Sequence, residues 1–571
     1  MRNKGIRSKK HWACWVLLSL CLSCGKHKPA KQPNQDAWYK HLLIYNLDVK
    51  TFKDSNGDGE GDFNGLTAKL EYLRSIGFNA IWLAPFQPSP LRDDGYDVTD
   101  YYGIDPKLGT QADYHRFIAA AKAMHFKVIM DVVLNHTSDA HPWFLEASRD
   151  TNTEKHRWYV WSAKRPKDWD KGMGFPLVEK ETWRLSPTAH EYYFHRFYNF
   201  QPDLNYQNPA VEKEAEHILG YWLDQGMDGF RLDAVPFIID DPRKNSENPR
   251  FDFNVLHQLT AFVKRHKPGA VLLGEANVKP EENAKYFGEH ADGLNMMFNF
   301  YANEYLFYGL ARGNVSLFKD ALEKTALKPP TAQWAWFLRN HDEIDIGRLS
   351  KHQKNEVYAK MAPDTTMRLY DRGIRRRLAP MLNNDPAKLR LCYSLLYSLP
   401  GTPVIREGEE IGMGDDLQLK ERLSVRTPMQ WDTAVNAGFS TSRNVFRPVI
   451  NVGTYAYHRV NVLSESGDAN SLLNFVKGMI NLRKQCPEIN NGEWQLLDPG
   501  INKVLVICYS DKGKSVLICH NFDDRPQTVS VEVPAGVKQG TDLLGRVKLK
   551  APNHKLTIAL AGSGFRWFRL N

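Results

Sequence analysis

Cysteine is scarce in this chain, with 7 among 571 residues. The four beyond the amino-terminal region, Cys392, Cys486, Cys508 and Cys519, match no zinc spacing, and Cys508 and Cys519 fall on adjacent apolar stretches where a packing role suffices. Internal repeats and low-complexity tracts are absent as well, which excludes a solenoid or repeat array. A charge excess is lacking once the amino terminus is set aside. Arg2, Lys4, Arg7, Lys9 and Lys10 fall in the first 23 residues together with no acid, so a chain cleaved after position 23 carries a formal +4 rather than +9. That is too little to argue for nucleic acid, and no such partner is expected.

What the amino terminus does have is a basic segment followed by an apolar run at 12–22, too short to span a bilayer as a stable helix. It reads as a signal peptide. Its end, Cys21-Leu22-Ser23-Cys24-Gly25, resembles a bacterial lipobox with Ser23 just ahead of Cys24. The expectation is cleavage after 23, lipid on Cys24, and an exported protein tied to a membrane by that anchor alone; a soluble secreted or periplasmic form is the alternative. Residues 24–36 form a polar linker containing Pro and Lys. The remaining length exceeds one compact core, so more than one domain is expected.

The stretch at 228–237, DGFRLDAVPF, is the chemical centre. It reads as a short strand, 229–232, that carries Arg231 and Asp233 on one face, because strand residues two apart point the same way. A guanidinium beside a carboxylate favours the ionised acid, the state a nucleophile needs, although an isolated R-x-D is also an ordinary structural ion pair. Three more stretches share the layout of a short apolar run with titratable residues just past its end: DVVLNH at 131–136, LLGEAN at 272–277 and FLRNHDE at 337–343. With further strands at 42–47, 80–84, 127–133, 270–274 and 403–406 and helical stretches between them, this is the α/β pattern of a (β/α)8 TIM barrel, whose chemistry gathers at the carboxyl ends of the strands. A long aperiodic segment dense in Trp, Pro and His interrupts it at 138–201, and such inserts are usually functional. Beyond 486, apolar strand-like runs flank a turn at 511–514 and continue to 571 as a C-terminal antiparallel β-sandwich. The expected division is signal peptide 1–23, linker 24–36, barrel 37–137 and 202–486, inserted domain B 138–201, and sandwich 487–571. In the loop DSNGDGEGDFNGL at 54–66, Asp54, Asn56, Asp58 and Asp62 alternate with glycines. Their oxygens could converge on a hard cation such as Ca2+, or the loop could be a polar turn. Its twelfth position is Gly65, so it is not an EF-hand.

The four chemical stretches, in this order, resemble the four signature regions of the alpha-amylase family (glycoside hydrolase family 13), which comprises retaining α-glycosidases and transglucosidases. The resemblance runs from about Trp38 to the carboxyl terminus. It implies a covalent double displacement on small α-glucoside substrates, with Asp233 as nucleophile and Glu275 as general acid and base, its pKa raised by desolvation and by Asp233. It implies that Asp342 binds sugar hydroxyls and distorts the ring while His341 stabilises the transition state, and that Arg231, Asp93, Tyr96, Asp97 and His136 contribute to substrate binding, Tyr96 by stacking on the sugar. It further implies that Arg426, in VRTPMQW at 425–431, pairs with Asp93 to wall off the end of the cleft. The loop at 54–62 would be a structural Ca2+ site formed by Asp54, Asn56, Asp58 and Asp62, with Glu60 supplying a backbone carbonyl. No organic cofactor is implied. The insert would roof the cleft, and QPDLN at 201–205 accompanies action on short glucosides.

Within that family, DRGIRRRLAPMLNND at 371–385, SLPGTPVI at 398–405, EEIGMGDD at 409–416 and VRTPMQW resemble the trehalose synthases, which isomerise maltose by keeping the released glucose in a sealed site. Arg406-Glu407 stands where Tyr-Tyr is common in that group, and the stretches after Glu275 and after Asp342 also differ, at the place of the leaving sugar. The expected activity is transglucosylation of maltose to trehalose, with an α-glucosidase releasing terminal glucose as the alternative and an inactive sugar-binding lipoprotein as the remote one. A binding module has no use for a paired nucleophile and acid.

Overall fold

Eight short strands close into a parallel barrel in the computed structural model, which describes residues 37–243, 251–290 and 292–571. The expected signal peptide, linker and site of lipidation at Cys24 lie outside the described residues. In chain order the strands are Ile44–Leu47, Ala80–Leu83, Lys127–Val132, Gly229–Leu232, Val271–Gly274, Met296–Phe298, Gln333–Phe337 and Thr402–Arg406. Each pairs with the next and the eighth returns to the first. A parallel sheet covered on both faces calls for continuous apolar runs rather than alternation, and IWL, VLLG and MMF supply them.

The fourth strand is the best example of local sequence serving the site. The helix before it, Pro209–Asp224, starts on an Asn208 cap with Pro at its first turn. Gly226, at φ 110, turns the chain out of the helix. A Cβ on Gly229 would meet the Val271 carbonyl oxygen at 2.2 Å, so only glycine lets the fourth and fifth strands approach this closely. The register then sets Arg231 opposite Asp131 of the third strand and Leu273 of the fifth.

Two excursions stand over the carboxyl ends of the strands. The insert after the third strand has a helix, Pro142–Arg149, and a small antiparallel sheet of Trp161–Ser162, Tyr192–Phe194 and Trp183–Leu185, with Val160, Trp183 and Phe194 as its own core. A second excursion follows the seventh strand: helix Lys351–Met361 and a three-stranded sheet of Ile344–Asp345, Gly373–Ile374 and Arg368–Leu369. This excursion departs from the plain barrel expected over 202–486, and its strands of two residues each are too short to leave a periodic signature.

The carboxyl-terminal region forms a six-stranded antiparallel sheet over a two-stranded one. Val506, Cys508, Leu517 and Cys519 from the first pack on Val529, Val531, Leu556 and Ile558 from the second. Both cysteines are free and buried. The outer face docks on the barrel helix Pro386–Ser398, where Ser394 meets His520 Nε2 at 2.9 Å and accepts from Trp567 Nε1 at 2.9 Å. Among the described residues no helix is long and apolar enough to cross a membrane.

Candidate active site

Arg231 is the hub. Its Nη1 is 2.7 Å from Asp131 Oδ1 and 2.5 Å from Asp233 Oδ1, and its Nη2 is 3.0 Å from Glu275 Oε2 and 3.9 Å from Asp342 Oδ2. Just past Asp233 the chain turns through Ala234 in the left-handed region, φ 50, a sparsely populated state of the kind that clusters at functional sites. That turn aims the Ala234 N–H at Glu275 Oε2, 2.9 Å away. The ends of the fourth and fifth strands are thus tied together at the two carboxylates. Asp131 was not singled out from sequence, although it opens DVVLNH, and the strand register is what places it here.

The loop after the second strand and the end of the seventh supply the next wall. His341 Nε2 is 3.0 Å from Asp342 Oδ2 and 2.5 Å from the Tyr96 hydroxyl, which also donates to Asp131 Oδ2 at 3.1 Å. The Tyr96 and His341 rings stack at 5.4 Å. His136 lines the cleft with its Nε2 3.1 Å from the Tyr96 carbonyl oxygen.

Two expectations are corrected. Arg426 does not pair with Asp93; its partners are Asp94 and Asp342, each at 3.2 Å. Asp94 has φ 56, and this left-handed turn sends its side chain away from the cleft to Arg426 and to Arg447, 2.7 Å away. Asp93 faces the cleft and is held at 2.6 Å by Arg422, whose other amino nitrogen is 2.9 Å from Asp342. Arg422 carried no sequence signal beyond standing four residues before Arg426. Asp97, expected to hold sugar hydroxyls, is buried and accepts from the Ser89 hydroxyl and the Asp93 and Arg92 N–H groups. It braces the loop that presents Asp93.

The environments divide the carboxylates. Burial pushes Glu275 up to about 7, with Arg231 opposing and the charges of Asp233 and Asp342 adding. Burial also pushes Asp233 up to about 6 against Arg231, and Asp131 and Asp93 up to about 6 each against their own arginines. Burial alone would raise Asp342 too, but its hydrogen bond with His341 and the guanidiniums of Arg422 and Arg426 hold it well below the usual carboxylate range. Desolvation drives His341 down to about 3, so its ring is neutral near pH 7. Of the pair that straddles Arg231, Glu275 keeps its proton longest.

These groups open on a cleft of about 730 Å³, a volume suited to a small ligand. The wall away from Asp93 is polar: Asn277 donates to Asp345 at 3.0 Å and accepts from Arg348 Nε at 2.7 Å. One end is latched. Phe175 of the insert stacks on Tyr370 of the second excursion at 4.6 Å, and Arg372 donates to the Gly174 carbonyl at 2.9 Å. The Tyr370 hydroxyl donates to Glu421 at 2.8 Å, the Tyr198 hydroxyl donates to the same carboxylate, and Arg422 lies 4.7 Å over the Phe175 ring.

The loop at 54–62 has only hard oxygen donors, but they are engaged within the loop or beside it. Asp54 accepts from the N–H groups of Asn56, Gly57 and Gly59 and from the Ser440 hydroxyl. Asp62 accepts from Ser55 and from the Gly65 N–H, Asn56 from the Asp58 N–H, and Asp58 from the Glu60 N–H. Among the described residues no three His, Cys, Asp or Glu side chains are grouped to hold a metal ion. As arranged, Asp54, Asn56, Asp58, Glu60 and Asp62 make a chain of side-chain turns, not a ready cation cage.

Known proteins with similar sequences place this architecture. The alpha-amylase catalytic-domain model matches residues 48–374 and 374–492, and a sucrose hydrolase-like C-terminal domain model matches 513–569. The chain is 37% identical over 551 residues to trehalose synthase/amylase TreS of Mycobacterium tuberculosis, covering 95% of this chain and 92% of that protein. It is 40% identical over 540 residues to trehalose synthase of Thermus thermophilus, covering 93% of this chain and 55% of that protein. Trehalulose synthase MutB from Pseudomonas mesoacidophila MX-45 superposes with a TM-score of 0.75 at 25% identity, over 94% of this chain and 99% of that one.

Proposed function

Because the chain belongs to the alpha-amylase family and is trehalose synthase-like within it, we propose that it isomerises maltose to trehalose through a covalent glucosyl-enzyme. Asp233 attacks the anomeric carbon of the non-reducing glucose while Glu275 gives its proton to the glycosidic oxygen, so that the carbon–oxygen bond breaks and free glucose departs. Glu275, now a carboxylate, takes the proton from the anomeric hydroxyl of that same glucose. The oxygen attacks the glucosyl carbon from the face first vacated, and Asp233 is released. Two inversions leave the α configuration.

The observation that carries the reading is that Asp233 and Glu275 lie on the two amino nitrogens of one buried guanidinium. This suits the separation of about 5–5.5 Å of retaining enzymes better than the ~6.5–9.5 Å that leaves room for an inverting water. Asp342, with Arg422 and Arg426 behind it, is placed to hold sugar hydroxyls, and Asp93 and Tyr96 to hold the far side of the same ring. The latch of Phe175, Tyr370 and Glu421 supports transfer over hydrolysis, since a sealed end slows escape of the first glucose. An α-glucosidase reading is favoured by one feature: Leu177, at the mouth of the cleft, is 79% exposed, so water has an approach there. Incubation with maltose followed by proton NMR separates the readings. Trehalose as the main product is expected, glucose alone would establish the hydrolase, and binding without turnover would overturn both.

Two further elements of the proposal are Ca2+ at the loop 54–62 and export with lipid on Cys24. The first is supported by the all-oxygen donor chemistry, which suits a hard cation, and would require some of the loop's turns to open. The second is supported by the basic and apolar amino terminus. Mass spectrometry of the mature amino terminus tests the lipid.

A further inference from the structure

Glu275 protonates the glycosidic oxygen in the proposed reaction, so the departing glucose lies on the Glu275 side of the cleft, away from Asp93 and Tyr96. Asn277, two residues past Glu275, lines that side together with Asp345 and Arg348. Its amide works in both directions: the nitrogen donates to Asp345 Oδ2 at 3.0 Å, and the oxygen accepts from Arg348 Nε at 2.7 Å. Arg348 Nη2 donates to the Asn277 carbonyl oxygen, so two bonds to one residue fix the plane of the guanidinium. From behind, Glu304 accepts the Arg348 N–H at 2.7 Å. Glu304 is 1% exposed and stands four residues after Phe300 on the helix Phe300–Arg312, which places both on one helix face, and Phe300 lines the cleft. Burial pushes Glu304 up to about 8, with the Asp345 charge adding, so at neutral pH it is mostly uncharged. Half-buried Arg348 forms no ion pair among the described residues, and its Nη1 has no protein partner there.

From this arrangement we infer that Arg348 and Asp345 grip the vicinal 2- and 3-hydroxyls of the glucose that is cut off and returned, whichever end of that glucose faces the reacting carbon. The inference rests on the maltose-to-trehalose reading and names the residues that make its second half possible. Maltose is cut at O4 of the departing glucose, whereas trehalose is closed through O1. A pyranose chair turned by half a revolution about the axis through the midpoint of its C2–C3 bond exchanges C1 with C4 and C2 with C3. The 2- and 3-hydroxyls take each other's equatorial places, so a grip on that pair is the same before and after the turn. The ring oxygen and C5 also trade places, but on the opposite edge of the ring, beyond this grip. The donors and acceptors suffice. A guanidinium has five N–H groups, of which Asn277 takes two. The Asp345 carboxylate has about four acceptor positions; Asn277, the Gly347 N–H at 2.7 Å and Arg372 at 3.5 Å take three. With Glu304 uncharged, no carboxylate claims the Arg348 charge, and its bonds to sugar hydroxyls are charge-assisted.

The test compares maltose with p-nitrophenyl α-glucoside, whose leaving group carries no vicinal hydroxyls, on the whole enzyme and on Arg348→Met and Asp345→Asn. In both variants kcat/KM for maltose should fall about tenfold or more beyond any fall for the aryl glucoside, the loss expected for a hydrogen bond to a charged group. Equal falls for the two substrates would show that Arg348 and Asp345 only brace the wall, and would overturn the inference. A second measurement needs no variant. With the aryl glucoside as donor, 2-deoxyglucose and 3-deoxyglucose should be similarly poor acceptors, each about tenfold below glucose; either one matching glucose would also overturn it. A wild-type enzyme that yields only glucose from maltose would end the trehalose reading and with it the turn, while the ratio of maltose to aryl glucoside would still decide the grip.

Discussion

Tyr370→Phe is the most informative single change at the cleft. Tyr370 is buried and its ring stacks on Phe175 at 4.6 Å, so phenylalanine preserves the packing and deletes one oxygen. That oxygen donates to Glu421 at 2.8 Å. Glu421 is kept below the usual range because the hydroxyls of Tyr198 and Tyr370 outweigh the effect of its burial, which identifies its partners as a charge-assisted pair. A hydrogen bond to a charged group contributes about 1.5–3 kcal/mol. At about 1.4 kcal/mol per tenfold, its loss raises the population of the unlatched cleft about tenfold at the low end, the value expected here because Tyr198 continues to serve Glu421. The assay is the ratio of free glucose to trehalose formed from maltose, read by proton NMR. If the latch retains the first glucose, the ratio rises about tenfold while the rate of maltose consumption changes little. A ratio within about twofold of wild type, with a lowered thermal midpoint showing that the contact had been lost, would refute the idea that this latch governs retention.

The pH profile of kcat/KM should rise through about 6 as Asp233 loses its proton, and fall through about 7 as Glu275 loses the proton it must donate. The two apparent values belong to the pair, and activity undiminished well above neutrality would rule Glu275 out as the acid. Asp233→Ala should lower turnover by roughly 10⁴- to 10⁶-fold with an unchanged circular dichroism spectrum, because Arg231 keeps Asp131 and Glu275; a near-native rate would contradict the assigned nucleophile. Arg422→Met strands Asp93 in its buried site, and breaking one side of a buried pair costs about 3–5 kcal/mol. A lower thermal midpoint and a raised KM for maltose are expected, and an unaltered KM would remove Asp93 from substrate binding. Chelation should lower the thermal midpoint if Ca2+ holds the loop 54–62, and an unmoved midpoint would leave that loop a set of turns.

The barrel was legible because its strands are apolar runs ending in titratable residues, and the wall strands carrying Asp131, Arg231, Glu275 and Asp342 were found on that basis. The sixth strand, Met296–Phe298, was not assigned, since three residues running at once into the helix Phe300–Arg312 carry no length signal. Pairing was less legible than position. Whether residue 93 or 94 meets Arg426 depends on one left-handed backbone angle, and whether Arg422 or Arg426 reaches Asp93 depends on a 3-10 turn, Glu421–Val425. Asp97 bonds its own loop for a related reason: an acid in an Asp- and Gly-rich turn serves its own backbone as readily as a ligand.

The motif R-x-D suggests that the arginine lowers the pKa of its neighbour, yet Asp233 is raised to about 6. The resolution is that Arg231 is shared. Its one charge faces Asp131, Asp233 and Glu275 within 3.0 Å and Asp342 at 3.9 Å, so no single acid receives the full effect, and burial prevails. Across the wider cluster, Arg231, Arg422, Arg426 and Arg447 face Asp93, Asp94, Asp131, Asp233 and Asp342. When Glu275 holds its proton and His341 is neutral, these five carboxylates exceed the four guanidiniums by one charge. The arginines of the outer ring are turned toward Asp93, Asp94 and Asp342, while Asp233 has only its share of Arg231. The uncompensated charge is therefore shared by Asp131 and Asp233, the two carboxylates that have only Arg231, and in the proposed reaction Asp233 brings it to where positive charge develops as the glycosidic bond breaks.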